Sequence, residues 1–100
     1  ALMESVRRDT PDLSARQMAV LLNVYVDPQP HTVRALSKTL NVSKPAITRA
    51  LDRLCTLDFV RRKPDDADRR SIIIQRTVKG SVFLSDFGDS IATSLAQLDE

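Results

Sequence analysis

Thr32-Val33-Arg34-Ala35-Leu36-Ser37-Lys38-Thr39-Leu40-Asn41-Val42-Ser43-Lys44-Pro45-Ala46-Ile47-Thr48-Arg49-Ala50-Leu51-Asp52-Arg53-Leu54 holds two short amphipathic segments, each opened by a hydroxyl residue. Thr32 can cap a helix whose inward face is Val33, Leu36 and Leu40, leaving Arg34 and Lys38 toward solvent. Asn41-Val42 then makes a tight turn. Ser43 is a second N-cap, and Pro45 falls in the first turn, where a missing amide hydrogen does no harm. Ile47, Ala50, Leu51, Leu54 and Leu57 follow the 3.6-residue period and mark the buried stripe of the second helix. Its opposite face therefore carries Lys44, Pro45, Thr48, Arg49, Asp52 and Arg53. Two short helices across a three-residue turn, the second polar and basic outside, form a helix-turn-helix pattern.

Downstream, Asp58 belongs to a residue type that tolerates the left-handed conformation at helix ends. Phe59-Val60-Arg61-Arg62-Lys63 reads as a strand, and Ser71-Ile72-Ile73-Ile74-Gln75-Arg76 as its partner, because β-branched residues favour extended backbone. Pro64 to Arg70 is the polar loop between them, so the unit is a basic hairpin tipped by Asp68-Arg69-Arg70. Thr77 caps a last and longest helix, about Val78 to Leu98, in which Leu84, Phe87, Ile91, Leu95 and Leu98 step by three and four residues. Upstream, Ser14 and Gln17 form a capping-box pair, and Met18, Leu21, Leu22 and Tyr25 recur at helical spacing from about Ala15 to Val26. Asp27-Pro28-Gln29-Pro30 stops that helix. The fold class is mainly α (α+β): a winged helix-turn-helix with a two-stranded wing and a long C-terminal helix.

The 100 residues allow a single domain. Residues 13–77 form the helix-turn-helix and wing, and residues 1–12 and 78–100 are expected to serve as dimerisation segments. The net charge of +2 conceals an asymmetry. From His31 to Lys79 there are twelve basic residues against five acidic ones, a net of +7, whereas the flanks together carry −5. A basic centre between acidic ends suits a polyanion, although a merely solvated face would show the same charges. No apolar run approaches the roughly 20 residues that cross a bilayer, and the first residues lack a signal-peptide pattern, which predicts a cytoplasmic location without membrane contact. One Cys and one His supply neither a zinc ligand set nor a disulfide. No nucleophile, base and orienting group can be assembled, so an enzyme is not expected and no cofactor is implied.

The outer face of the 44 to 57 helix fits a major groove about 12 Å wide. Arg49 and Arg53 can pair bidentately with guanine or clamp phosphates. Thr48 and Pro45 can meet a thymine methyl, and Ser43 and Lys44 stand at the positive end of the helix dipole, which suits a phosphate. In the loop, an aspartate two residues before an arginine can orient its guanidinium, so that Asp68 would preset Arg70 for a narrow, negative minor groove beside Arg69. The competing reading of that loop is an ordinary surface ion pair. Cys55 lies beside the buried stripe, where a small apolar filler is the ordinary role and thiol sensing the less ordinary one. His31, between Pro30 and Thr32, reads as a solvated loop residue.

Taken with Phe59-Val60-Arg61-Arg62, Asp68-Arg69-Arg70-Ser71 and Thr77-Val78-Lys79-Gly80, the segment Ser43 to Leu54 resembles the MarR-type winged-helix transcriptional regulators. The resemblance covers about the central two thirds of the chain and rests on a conjunction of motifs: a recognition helix, a wing with Asp-x-Arg, and Thr-x-x-Gly opening the next helix. It implies a major-groove role for Lys44, Thr48, Arg49 and Arg53, and a minor-groove role for Arg70 braced by Asp68. The stripe Leu84, Phe87, Ile91, Leu95 and Leu98 lies on a helix too long to bury all of it against so small a core, so part is expected to pack against a second copy, giving a homodimer on double-stranded DNA. The resemblance is compatible with a small-molecule effector for which no residue speaks. Asp58 stands where the family usually has Gly, and Arg76 where it usually has an apolar residue. Two alternatives remain open: a winged helix that meets an acidic protein partner, and a DNA-binding fragment that lacks the outer helices and is monomeric.

Overall fold

The computed structural model describes residues 12–28 and 30–98. In chain order it contains α1 (Ala15–Val26), α2 (Val33–Leu40), α3 (Lys44–Thr56), β1 (Val60–Pro64), β2 (Ile72–Arg76) and α4 (Val78–Leu98). The expected dimerisation role of residues 1–12 falls, Asp12 apart, outside the described residues.

Each helix starts where a side chain can satisfy its orphan amides. In α1 the capping box is complete: Ser14 Oγ accepts from the Gln17 amide at 3.1 Å, and the Gln17 side chain accepts from the Ser14 amide at 3.0 Å. Thr32 Oγ1 caps α2 through the Ala35 amide at 3.0 Å, and Ser43 Oγ caps α3 through the Ala46 amide. Asn41 ends α2 in the left-handed conformation, with φ of 54°, which an Asn accepts more readily than most side chains. Asp58 adopts φ of 60° where the chain turns from α3 into β1, a left-handed conformation that an aspartate tolerates better than most side chains.

The core is one cluster. Val20, Leu21 and Val24 of α1, Leu36 of α2, Ile47, Ala50, Leu51 and Leu54 of α3, and Phe59, Val60 and Ile74 of the wing base are buried together. Sequence periodicity assigned the α1 stripe to Met18, Leu21, Leu22 and Tyr25. Of these, Leu21 is fully buried, Tyr25 packs partly buried against the core and Leu22 is exposed, while Val20 and Val24 complete the buried face. Six of the seven residues from Val20 to Val26 are apolar, so hydrophobicity alone leaves the phase of the helix open, and packing against α3 decides it.

The wing is a two-stranded antiparallel sheet pairing Val60 with Arg76, Arg62 with Ile74 and Pro64 with Ile72. Paired residues share a face, so Val60, Arg62, Ile74 and Arg76 look inward while Arg61 and Lys63 look outward. His31 corrects its assignment to a solvated loop: it is buried at 7% exposure, and its carbonyl accepts from the Ile74 amide at 2.8 Å, an isolated bridge that extends the sheet by one residue. Its Nε2 lies 2.8 Å from the Asp27 carbonyl oxygen, which makes that nitrogen the protonated one. Among the described residues no helix is long and apolar enough to cross a membrane, and no cluster of His, Cys, Asp and Glu could hold a metal.

Candidate nucleic-acid interface

Burying Ile47, Ala50, Leu51 and Leu54 leaves Ser43, Lys44, Pro45, Thr48, Arg49, Asp52 and Arg53 exposed on the far side of α3. The sequence expected this face, and the structure presents it as one surface. Ser43 Oγ is engaged as the N-cap acceptor, at 3.4 Å from the Ala46 amide, and keeps its own hydrogen to donate outward.

The wing is tied to that face by a contact that sequence reading missed. Arg62 Nη2 donates to Asp52 Oδ1 at 2.7 Å and reaches the Thr48 carbonyl at 3.4 Å, so a strand arginine grips the outer edge of α3. The signal available in the sequence was strand alternation, which puts Arg62 on the same face as the buried Val60. Two other wing cations are also paired, Arg61 with Asp58 at 3.4 Å and Lys63 with Asp66 at 3.6 Å. Among the described residues Lys44, Arg49, Arg53, Arg69 and Arg70 form no ion pair and are exposed, as are Arg16, Arg34, Lys38 and Lys79 elsewhere on the surface; the first five are the ones gathered on α3 and the wing tip. Cations without a protein partner, split between one helix face and one loop tip, are what a polyanion would neutralise.

The loop geometry corrects the expected action of Asp68. Its Oδ1 accepts from the Arg70 main-chain amide at 3.1 Å and its Oδ2 lies 3.5 Å from Ser71 Oγ, whereas no ion pair joins it to the Arg70 guanidinium. Asp68 therefore shapes the backbone of the tip, as an aspartate two residues before an amide does in a turn, and the guanidinium is left free. Asp65 repeats the device on the Ala67 amide at 3.0 Å.

Arg76 counts toward the basic centre in the sequence but is spent internally. Its Nε donates to the Val24 carbonyl at 2.9 Å and its Nη2 to the Asp27 carbonyl at 3.0 Å, which satisfies the end of α1. The guanidinium also lies over the Tyr25 ring, 5.8 Å from its centroid. Cys55 is half-buried, and burial pushes its thiol above the ordinary value of 9.0; Arg62 opposes the rise while Asp52 and Asp58 add to it. A raised thiol pKa disfavours the reactive thiolate and supports the filler role.

This fold, a helix-turn-helix followed by a two-stranded hairpin and a long helix, recurs in known proteins. The MarR family model matches residues 12–71. The chain belongs to the MarR family. Among solved structures, the YusO protein of Bacillus subtilis superimposes with a TM-score of 0.81 at 21% identity, covering 97% of this chain and 67% of that one. Wild-type MarR of Escherichia coli in its apo form gives 0.75 at 30% identity, over 86% of this chain and 63% of that one. A cysteine-to-serine variant of the same MarR, complexed with operator DNA, gives 0.75 at 30% identity, over 86% and 61%. No curated protein matches the chain by sequence. This MarR-family chain thus spans about 61–67% of the length of these solved relatives.

Proposed function

We propose that this chain is a sequence-specific, double-stranded DNA-binding transcriptional regulator that works as a homodimer. In this reading α3 enters the major groove with Lys44, Thr48, Arg49 and Arg53 toward base edges and phosphates, while Arg70 at the wing tip enters the adjacent minor groove beside Arg69. The carrying observation is that five of the exposed cations without ion-pair partners, Lys44, Arg49, Arg53, Arg69 and Arg70, lie together on α3 and the wing tip, two elements that the Arg62–Asp52 contact ties to each other. The operator complex of E. coli MarR supports the same reading through a relative of 30% identity.

Dimerisation is part of the proposal because α4 displays Phe87, Ile91, Leu95 and Leu98 to solvent, with exposure rising from 38% at Phe87 to 80% at Leu98. An apolar stripe of that kind marks an association surface. The test is a titration with random duplex DNA at two salt concentrations. Five unpaired cations that each meet one phosphate lower the affinity by roughly two to three orders of magnitude between about 50 and 200 mM salt. No detectable binding at the lower salt would overturn the reading and leave the basic face to an acidic protein partner.

A further inference from the structure

Very little holds α4 to the rest of the molecule. Among its described residues only Gly80 is buried, and Phe83, Leu84, Ser90 and Ser94 are partly so, Phe83 and Leu84 against the core. The attachment is a joint in the first two turns. Tyr25 Oη lies 2.7 Å from the Phe59 carbonyl and 2.9 Å from the Thr77 carbonyl, and accepts from the Thr77 amide at 2.8 Å. One hydroxyl thus connects α1, the start of the wing and the start of α4. Thr77 Oγ1 donates to the Asp58 carbonyl at 2.7 Å while accepting from the Gly80 amide at 3.0 Å. Phe83 stacks on Phe59 with ring centroids 4.4 Å apart. A Cβ on Gly80 would collide with the Tyr25 hydroxyl and the Phe59 carbonyl oxygen, which shows how closely the helix backbone is drawn onto this point.

We infer that Tyr25 is a positioning residue for DNA recognition: its hydroxyl fixes the angle between α4 and the winged-helix lobe. The 21 residues of α4 make a lever about 31 Å long at 1.5 Å per residue. A tilt of about 10° at the joint moves the far end by about 5 Å, which is more than the 3.4 Å between successive base pairs. If two copies meet along Ile91, Leu95 and Leu98, the joint therefore decides which half-site spacing the two α3 helices match. This last step rests on the dimeric DNA-binding reading proposed above; the fixing of the angle does not. Arg76 belongs to the same device, because its guanidinium covers the Tyr25 ring and ties the wing base to the end of α1.

The experiment removes only the hydroxyl, in Tyr25→Phe, and reads two quantities. In a Cys55→Ser background, spin labels at Lys38→Cys on α2 and Asp89→Cys on α4 report the distance between lobe and helix, diluted with unlabelled protein so that distances within one chain dominate. A narrow distribution is expected with Tyr25, and one at least twice as broad with Tyr25→Phe. On duplexes carrying two half-sites at a series of spacings, the preference for the best spacing over its neighbours is expected to fall roughly five- to tenfold, while binding to random duplex stays within about twofold. An unchanged distribution in Tyr25→Phe overturns the inference, as does an equal loss on all duplexes. A broadened distribution together with a spacing series already flat in the parent protein would uphold the joint and sink the dimeric reading. Should Tyr25→Phe not fold, Thr77→Ala breaks the neighbouring bond to Asp58 without touching the core, and the same two outcomes are expected.

Discussion

Arg62 and Asp52 meet at 2.7 Å across the boundary between the wing and α3, and their contact ties the two elements to each other. The Asp52 side chain is mostly exposed and the Arg62 side chain about one third exposed, so the pair contributes under about 1 kcal/mol to stability. Its value lies in orientation. Arg62→Ala and Asp52→Ala should each leave thermal unfolding within a few degrees of the parent and weaken specific DNA binding by roughly three- to tenfold. The double substitution should cost no more than either single one, because both remove the same contact. Additive losses in that cycle would mean that Arg62 binds DNA independently of Asp52.

Gly80 and Gly88 lie on the same helix and should respond to alanine in opposite directions. At Gly80 the new methyl meets the Tyr25 hydroxyl and the Phe59 carbonyl, so the joint must open, at a cost of about 1–3 kcal/mol. At Gly88 nothing lies within 4 Å, and the better helix propensity of alanine should stabilise by about 0.5–1 kcal/mol. Urea unfolding of the two variants checks both signs. Equal effects would show that the close approach at Gly80 is absent in solution.

Much of this architecture was legible because it is local. The Ser14–Gln17 capping box, the Ser43 and Thr77 caps, the left-handed Asp58 and the α3 stripe Ile47, Ala50, Leu51 and Leu54 all depend on residues within a few positions of one another and stand where the sequence put them, whereas Leu57, expected in that stripe, is the half-buried C-cap. Tyr25, Arg76 and His31 escaped for the converse reason. Their partners lie 34 to 52 residues away for Tyr25 and 49 to 52 for Arg76, and His31 pairs through its backbone with Ile74. No spacing rule reaches that far. Asp68 does engage Arg70, but through its main-chain amide rather than its guanidinium, a distinction invisible to sequence because both partners lie two residues ahead.

That difference at Asp68 is open to test. Arg70→Ala should weaken specific binding by about 1–3 kcal/mol and leave the fold intact, because a loop-tip side chain contributes little to the core. Asp68→Ala frees the Arg70 amide and should give part of that loss. Asp68→Asn keeps an acceptor oxygen for the amide and should bind nearly as the parent does. If asparagine proves as damaging as alanine in a specific-duplex titration, Asp68 acts through its charge on the guanidinium after all.

Cys55 should be a slow thiol. Burial raises its pKa in the folded chain, so the protonated form is favoured there relative to the unfolded chain; this contribution to stability is complete below the ordinary value of 9.0 and is lost as pH rises through the folded value. Alkylation by iodoacetamide near pH 7.5 should run several-fold slower than for an unfolded control peptide and quicken only at higher pH. Because the Arg62 guanidinium holds the value down, Arg62→Ala should slow the reaction further. A rate equal to that of the control would reopen thiol sensing.

The α4 stripe gives the last test. Phe83 and Leu84 reach the core, but the helix continues for 14 residues past Leu84, and Phe87, Ile91, Leu95 and Leu98 stand exposed along them. Leaving four large apolar side chains in water forgoes about 1.5–3 kcal/mol for each that a partner could fully bury. A second copy offers the same stripe in return, and a twofold pairing through it would set two α3 helices toward half-sites about 34 Å apart on a pseudo-palindromic duplex. Sedimentation equilibrium at tens of micromolar should therefore report a dimer. Ile91→Glu and Leu95→Glu, which put a charge into the seam, should shift it to monomer without lowering the unfolding temperature of the lobe, and should weaken binding to a two-half-site duplex far more than to random duplex. A parent chain that sediments strictly as a monomer would remove the stripe from the dimer proposal while leaving the role proposed for α3 and the wing untouched.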